Sequence, residues 1–312
     1  MLPEPSRAAK ITQMMQITKI MMNSNTARTI WRLFLAALLL SAWAHASRVV
    51  RDELDRDVTV PDHPHRLICL APSLTDTVYR LGRGSDIAGI TDYTKYPAEA
   101  AQKPSVGGII NPSLEKIVSL QADLVLAIGD LNSLDLIHSI ERLGLPVFVV
   151  YPRGLEGIYR SIESVGAAID QQASAKELVG VLRGREQAVR RRVAGKQFPT
   201  VFYLLWNDPI MTAGHGAFIT ELIEIAGGRS VSSDLPSEWP RISLEVVIAR
   251  QPQYLLLIKG AQTTLETLQQ QANWKKLDAV RHGRVFYVDD RINFSSPLAF
   301  DALEEMAREF HP

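Results

Sequence analysis

The sequence is poor in cysteine and has no excess of positive or negative charge. Its 312 residues include a single cysteine, Cys69, which excludes an intramolecular disulfide framework. Cys69 lies inside the apolar run RLICLAP, a setting typical of a buried, unreactive thiol. The 34 basic residues only balance the 34 acidic ones, so the chain lacks the basic surface that a nucleic-acid partner requires. A disulfide-stapled domain and a nucleic-acid-binding protein are therefore both excluded.

The short motifs that carry catalysis are also missing. The sequence contains no G-x-S-x-G elbow, no H-E-x-x-H pair and no P-loop. The seven histidines are scattered along the chain. We therefore expect no resident metal and no cofactor. An exported enzyme that uses Asp290 and His215 stays open as the less favoured alternative.

No apolar run is long enough to cross a membrane, but the first 46 residues predict an export signal. Arg28 and Arg32 precede an apolar stretch at 33–43, and Ala44-His45-Ala46 follows as an A-x-A cleavage site. A membrane-spanning helix needs about 20 apolar residues, more than this stretch has. We expect cleavage after Ala46 and a free protein that is not lipid-anchored, because Cys69 is far from the cleavage site.

From Arg66 onward, short apolar segments alternate with segments of helical pattern. This alternation predicts right-handed crossovers and largely parallel sheets. The predicted strands are RLICLA, DIAGIT, DLVLAI, PVFVVY, TVFYLLW, YLLLIKG and RVFYVDD. The predicted helices are SLTDTVYRLG with Ser73 as N-cap, SLEKIVSL, LNSLDLIHSIERLG, GAFITELIEIAGG, SLEVVIAR, TLQQQANWKKL and PLAFDALEEMAREF.

A strand-poor stretch rich in Ala, Glu, Gln, Arg and Leu interrupts this alternation and predicts one or two helices. The fold class that follows is α/β, with two Rossmann-like lobes of largely parallel sheet joined by a long helix. The predicted divisions are a signal peptide at 1–46, an N-terminal lobe at 48–153, a helical linker at 154–197 and a C-terminal lobe at 198–312. A ligand cleft is expected between the lobes, where the strands end.

One phrase occurs twice, once in each predicted lobe. SLEKIVSLQADLVLAIGD at 113–130 and SLEVVIARQPQYLLLIKG at 243–260 are offset by 243 − 113 = 130 residues. Each copy places a glutamate, Glu115 or Glu245, in the first turn of a predicted helix. A carboxylate there is favoured by the helix dipole by about 0.3–1 kcal/mol. Helix stabilisation alone would explain either glutamate, whereas the repetition favours a shared role.

Several stretches together resemble the periplasmic solute-binding proteins of ABC importers, in the helical-backbone class that carries cobalamin, haem and iron-siderophores. The resemblance covers roughly 62–310, and the cobalamin-binding members look nearest. It implies a periplasmic, monomeric receptor without chemistry of its own, which closes little around its ligand and delivers it to the membrane subunits of an importer. The stretches are RLICLAPSLTDTVYRLG, GITDYTKYP, VGGIINPSLEKIVSLQADLVLA, EWPRISLEVVIARQPQYLLL and SSPLAFDALEEMA.

The resemblance and the predicted loops together give a set of candidate ligand residues. Large planar ligands are best held by aromatic side chains. Tyr93, Trp239 and Asp290 match ligand-contact positions of the family, and the Asp290 carboxylate would accept hydrogen bonds from the amides of a corrinoid. The full set is Pro72, Ser73, Tyr93, Tyr96, Trp206, His215, Trp239, Asp290 and Phe294.

The resemblance also implies a partner surface and leaves alternatives open. Glu115 and Glu245 match the family's two surface glutamates, one per lobe, that meet arginines on the membrane subunits. Where the cobalamin-binding members have aromatic residues this chain has Gly108 or Ile109 and Ile128, and Phe294 replaces an arginine. Haem or an iron-siderophore is thus the alternative ligand, with Tyr93 or His215 as a candidate iron ligand.

Overall fold

Two separate four-stranded sheets, both parallel, organise residues 46–312, the part of the chain that the computed structural model describes. The first has strand order β4-β3-β5-β6 and the second β10-β7-β11-β12. The strands are β1 Ser47–Arg51, β2 Asp57–Pro61, β3 Leu67–Cys69, β4 Ile87–Gly89, β5 Leu124–Ile128, β6 Val147–Val150, β7 Thr200–Tyr203, β8 Trp206–Asn207, β9 Ile210–Met211, β10 Arg229–Ser230, β11 Tyr254–Ile258 and β12 Val285–Val288.

Helices cover both faces of each sheet, as the apolar strands require. They are α1 Pro72–Arg80, α2 Leu114–Ser119, α3 Leu134–Arg142, α4 Gly154–Ala168, α5 Gln172–Val193, α6 Phe218–Ile225, α7 Leu244–Arg250, α8 Leu265–Gln269, α9 Asp278–Arg281 and α10 Ala299–Phe310. We call the β3–β6 sheet with α1–α3 the N-terminal lobe. The C-terminal lobe is the β7 and β10–β12 sheet with α6–α10.

Alternate residues of each strand face different parts of the core. Leu67 and Cys69 of β3 belong to a large apolar cluster, whereas Ile68 between them belongs to a smaller cluster on the other face. The large cluster also takes in residues of α4, α5, α6 and α10, and Tyr203 of the C-terminal lobe. One continuous core therefore runs from lobe to lobe through the linking helices.

The linking segment consists of two helices. α4 has 15 residues and α5 has 22, and Asp170 between them has φ 58°. α5 is about 33 Å long. Ion pairs join it to α10 of the C-terminal lobe: Arg185 on α5 lies 2.7 Å from both Asp301 and Glu304 on α10. This packing stiffens the connection between the lobes.

The predicted fold class is confirmed, whereas the division at 48–153, 154–197 and 198–312 stays a prediction. The signal peptide at 1–46 lies outside the described residues except for Ala46. Within 46–312 no helix is long and apolar enough to cross a membrane. Cys69 is buried in β3, and burial raises the pKa of its thiol to about 12.

Two local predictions are wrong. Ser73 does not cap α1: the helix begins at Pro72, whose fixed φ suits the first turn, and extended Ala71 takes the cap position. TLQQQANWKKL is not one helix, because α8 ends at Gln269 and a separate 3₁₀ turn begins at Trp274, which is buried in the C-terminal lobe. The short elements β1, β2, β8, β9, β10 and α9 carry too little periodicity to be recognised from sequence.

Candidate functional site

The carboxyl ends of the parallel strands meet at an elongated cleft between the lobes, the place where open α/β sheets bind ligands. A cavity of about 310 Å³ occupies part of it. Loops that follow β3, β4, β5 and β6 form one wall, and the segment after β12 forms the other. Its lining residues are Ala71, Pro72, Ser73, Tyr93, Lys95, Ile109, Ile128, Asp130, Leu131, Pro152, Asn293, Phe294 and Ser295.

The wall on the N-terminal lobe is mainly aliphatic and is held rigidly. Buried Asn132 accepts a hydrogen bond from Ile128 N–H through Oδ1 and donates from Nδ2 to the carbonyl of Ile109, both at 2.8 Å. This side chain ties the loop before α2 to the end of β5. Ile109, Ile128 and Leu131 consequently present a fixed apolar surface, without the aromatic rings that the family resemblance places there.

Aromatic residues occupy the edges of the cavity. Tyr93 projects from the loop after β4 with 61% of its surface exposed. Phe294 lies on the opposite side and makes an edge-on contact with the ring of Tyr96, 6.5 Å between centroids. An exposed aromatic ring provides contact area for a ligand at a low cost in conformational entropy.

Two ion pairs bridge the cleft from lobe to lobe. Lys95 Nζ lies 2.9 Å from Asp290 Oδ2, and the hydroxyl of Tyr96 donates to Asp290 Oδ1 at 3.4 Å. The hydrogen bond and charge of Asp290 raise the pKa of Lys95. Arg153, which follows β6, lies 3.8 Å from Glu238 of the C-terminal lobe. Lys95 and Arg153 are therefore each paired with an acid from the opposite lobe.

Asp130 is a carboxylate at the cavity that takes part in neither of these ion pairs. It lines the cavity and forms no ion pair with any residue in the described part of the chain. The residue as a whole is exposed, yet desolvation at the cavity wall raises the pKa of its carboxyl group, against the opposing effect of Arg153. The cleft thus carries surplus negative charge and hydrogen-bond acceptors.

A buried hydrogen bond joins the lobes beneath the cleft. Ser296 of the C-terminal lobe donates to Asp76 Oδ2 on α1 at 3.0 Å, and Arg80 pairs with Asp76 Oδ1 at 3.0 Å. Burial raises the pKa of Asp76, and Arg80 and Ser296 limit that rise. This contact fixes Phe294 and Ser295 against the start of α1.

The predicted ligand residues do not all lie at this cavity. Pro72, Ser73, Tyr93 and Phe294 line it, and Tyr96 and Asp290 contact its residues. The other three are elsewhere on the C-terminal lobe: Trp206 lines a second cavity, exposed His215 follows β9, and half-buried Trp239 packs against the large core cluster.

Lys95, Asp130 and Asn293 are site residues that the sequence interpretation missed. Lys95 stands between Tyr93 and Tyr96 in the quoted TDYTKYP segment, so its position after β4 was a usable signal. Asp130 likewise comes directly after a predicted strand. Nothing in the sequence marks Asn293, whose Oδ1 accepts from the hydroxyl of Tyr203 at 2.7 Å.

The two repeated glutamates are on the surface. Glu115 in the first turn of α2 and Glu245 in the first turn of α7 are both exposed. The hydrogen bond from its own backbone N–H lowers the pKa of Glu245, and the Ser243 hydroxyl adds to this. Among residues 46–312 no group of three or more His, Cys, Asp or Glu side chains is placed to hold a metal ion.

Two parallel-sheet lobes, a shared core through paired helices and a cleft at the strand ends define a two-lobed α/β binding protein. The sequence agrees with that class: the chain belongs to the periplasmic binding protein family, whose sequence model matches residues 67–292.

Individual relatives agree with this assignment. The chain is 27% identical over 271 residues to the ABC transporter substrate-binding lipoprotein YvrC of Bacillus subtilis, covering 84% of this chain and 85% of YvrC. It is 27% identical over 256 residues to the vitamin B12-binding protein of Vibrio parahaemolyticus, covering 81% and 92%.

Solved structures show the same fold. The periplasmic vitamin B12-binding protein BtuF of Vibrio cholerae is similar with a TM-score of 0.69 and 25% identity, over 79% of this chain and 96% of BtuF. The periplasmic heme-binding protein RhuT from Roseiflexus sp. RS-1 has a TM-score of 0.73 and 24% identity, over 79% and 98%. These likenesses confirm the two-lobed architecture.

Proposed function

We propose that this protein is the periplasmic receptor of an ABC importer, and that it captures a corrinoid such as cobalamin in the cleft between its lobes. The observation that carries the choice of ligand is the charge of the cleft. Lys95 and Arg153 are each paired with an acid from the other lobe, and Asp130 is left over. A neutral ligand edged with amide N–H donors suits such a surface.

The shape of the cavity supports the same choice. Tyr93 and Phe294 offer rings at the edges, and Ile109, Ile128 and Leu131 offer an apolar wall. A broad macrocycle with an apolar face and a polar rim can use both features. The relative of similar length that is named a vitamin B12-binding protein adds independent support.

Calorimetric titration of the purified protein with cobalamin, haem and a ferric catecholate siderophore tests the proposal. We expect binding of cobalamin at micromolar concentration or tighter, and weaker binding of the two anionic ligands. Binding of haem without binding of cobalamin would overturn the ligand assignment. Turnover of any of these compounds would revive the enzyme alternative that uses Asp290 and His215.

The iron-containing ligands remain the second candidate because of one residue. The exposed phenol of Tyr93 at the cavity edge is a side chain that could coordinate ferric iron. Tyr93→Phe keeps the ring and removes the oxygen. If Tyr93 acts by contact area, the substitution changes affinity little. A loss of binding together with loss of a phenolate-to-iron absorption band would instead identify a metal ligand. His215 follows β9 outside this cavity and is the weaker candidate.

The partner and location follow from the family and from the surface. Exposed Glu115 and Glu245, one per lobe, would form the contacts with the membrane subunits. Periplasmic location follows from the family and the predicted signal. YvrC is named a lipoprotein, whereas the one cysteine of this sequence, Cys69, is buried in β3 and is not available for acylation. We therefore propose a free receptor that acts as a monomer.

A further inference from the structure

A second cavity, of about 510 Å³, opens on the C-terminal lobe where β7 and β11 end. The segment after β7 contributes Leu204, Leu205 and Trp206. Ile258 is the last residue of β11, and Gly260 comes shortly after it. β11 pairs with β12, whose following segment carries Asn293 and Phe294, so both cavities lie at the carboxyl edge of one sheet. The two cavities therefore share one edge of the C-terminal sheet, the edge that borders the cleft.

An indole ring supplies one surface of this cavity. Trp206 stands in β8, which pairs with β9 as a two-residue hairpin, and 58% of its surface is exposed. Its Nε1 donates to the carbonyl of Asp208 at 2.7 Å. Since that hydrogen bond occupies the only polar atom of the ring, Trp206 can offer a ligand only its flat face. A flat group stacked on it is the natural occupant.

The charged side chain of the cavity is an acid, Asp208, and its neutral polar residues Gln262, Thr263, Thr267 and Gln271 can both donate and accept hydrogen bonds. Asn207 lines the cavity, but its Oδ1 is buried out of reach of a ligand and has no hydrogen-bond partner among the described residues. Asp208 is exposed and forms no ion pair with any residue from 46 to 312. No Lys, Arg or His lines the cavity among the described residues. An anionic group is disfavoured there, and an uncharged group bearing N–H or O–H is favoured.

We propose that this cavity is a subsite for a flat, uncharged heteroaromatic group that carries hydrogen-bond donors. On the corrinoid function proposed above, on which this inference rests, that group is the benzimidazole or purine base of the lower nucleotide with its ribose. The anionic phosphodiester that joins this ribose to the corrin stays outside the cavity. Trp206 stacks on the base, and the exposed carboxylate of Asp208 accepts from the sugar hydroxyls or the base. The corrin ring itself lies against the first cavity.

Cobalamin and cobinamide separate the two subsites, because cobinamide keeps the corrin ring and lacks the lower nucleotide, that is, the base, the ribose and the phosphate. The wild-type protein should bind cobalamin about tenfold or more tightly than cobinamide, the scale of one stacked base. Trp206→Ala should bring cobalamin down to the affinity of cobinamide and leave cobinamide within about twofold. Tyr93→Ala, at the other cavity, serves as the matched control and should weaken both corrinoids equally. A cobalamin-to-cobinamide ratio that Trp206→Ala leaves unchanged would overturn the subsite.

A second measurement keeps the subsite separable from the corrinoid function. The free benzimidazole nucleoside is added at millimolar concentration to the wild-type protein carrying ¹⁵N-labelled tryptophan. The indole signal of Trp206 should shift, and the signals of Trp239 and Trp274 should not. If neither corrinoid binds, the corrinoid function fails, and this shift decides the subsite by itself. Absence of the shift would reject the subsite even if cobalamin binds well.

Discussion

The two lobes contain the same helix–strand unit, but the starts of the two helices differ. Each lobe contains a Ser-Leu-Glu helix leading into a buried strand, α2 before β5 and α7 before β11. Each of these helices is also followed by a glutamine in the left-handed region, Gln121 at φ 48° and Gln251 at φ 39°, again 251 − 121 = 130 residues apart. The helix starts differ, because the Ser113 hydroxyl accepts from Lys116 N–H, whereas Ser243 caps no backbone group.

The cleft walls differ as well. The N-terminal lobe presents aliphatic residues and Tyr93, and the C-terminal lobe presents Trp206 with polar side chains. Equivalent backbones thus provide unlike surfaces, so a ligand with one apolar face and one donor-rich arm has a single favoured orientation. The shared glutamates, Glu115 and Glu245, lie on the surface, and the residues that differ line the two cavities.

The largest expected effect comes from the feature that the lobes share. A double Glu115→Gln, Glu245→Gln variant keeps both shapes and removes both charges. Neither glutamate lines either of the two cavities, so ligand binding should stay normal. Docking should suffer, because exposed charges at an interface set orientation and association rate. Uptake and stimulation of the transporter ATPase should be lost. Transport assays in reconstituted vesicles, with calorimetry of the same preparation, measure both.

Two other first-turn carboxylates provide the control for this experiment. Asp135 on α3 and Glu266 on α8 are exposed at matching places near helix starts, one in each lobe. A double Asp135→Asn, Glu266→Gln variant should transport normally. If Glu115 and Glu245 only stabilise their helices, both double variants will transport alike. That result would reject a docking role for the two glutamates.

The second prediction contrasts aromatic residues from the two lobes. Tyr93→Ala should reduce ligand affinity by about 2 kcal/mol with the melting temperature unchanged, because the ring is mainly exposed. Trp239→Ala should reduce affinity, because Trp239 adjoins Glu238, which pairs with Arg153 across the cleft. It should also lower the melting temperature, because Trp239 packs against the core cluster. Calorimetry and thermal unfolding on the same samples separate the two effects. An unstable Tyr93→Ala variant would contradict this contrast.

Long-range order was more predictable from the sequence than local detail. Apolar runs such as 124–128 and 254–258 and the 130-residue repeat indicate both sheets, because buried parallel strands need them. Ser73 failed as a cap because the helix starts at Pro72, two positions earlier than a cap at Ser73 implies. The Lys95–Asp290 pair joins residues 195 positions apart and has no periodic signal. Likewise, only the folded chain brings Asn207 beside the end of β11.

The third prediction uses the difference between the two helix starts. Ser113→Ala removes a cap hydrogen bond of 3.3 Å to Lys116 N–H and should lower the free energy of unfolding by about 1 kcal/mol. Ser243→Ala removes no backbone cap and should stay within about 0.5 kcal/mol of wild type. Urea unfolding of both variants gives the comparison. Equal losses would mean that Ser243 caps α7 in solution.

The smallest effect concerns what Ser243 does instead. The backbone N–H of Glu245, and then the Ser243 hydroxyl, lower the pKa of Glu245 below its ordinary value of 4.5. A lowered carboxyl pKa contributes stability above the ordinary value, and this contribution is lost as the pH falls through the lowered one. The stability advantage of wild type over Glu245→Gln should therefore shrink as the pH falls below the ordinary value of 4.5. Carbon-detected NMR titration should place Glu245 below 4.5 in wild type and in Ser113→Ala. In Ser243→Ala its pKa should move back toward the ordinary value, and an unmoved titration curve would leave the backbone as the sole cause.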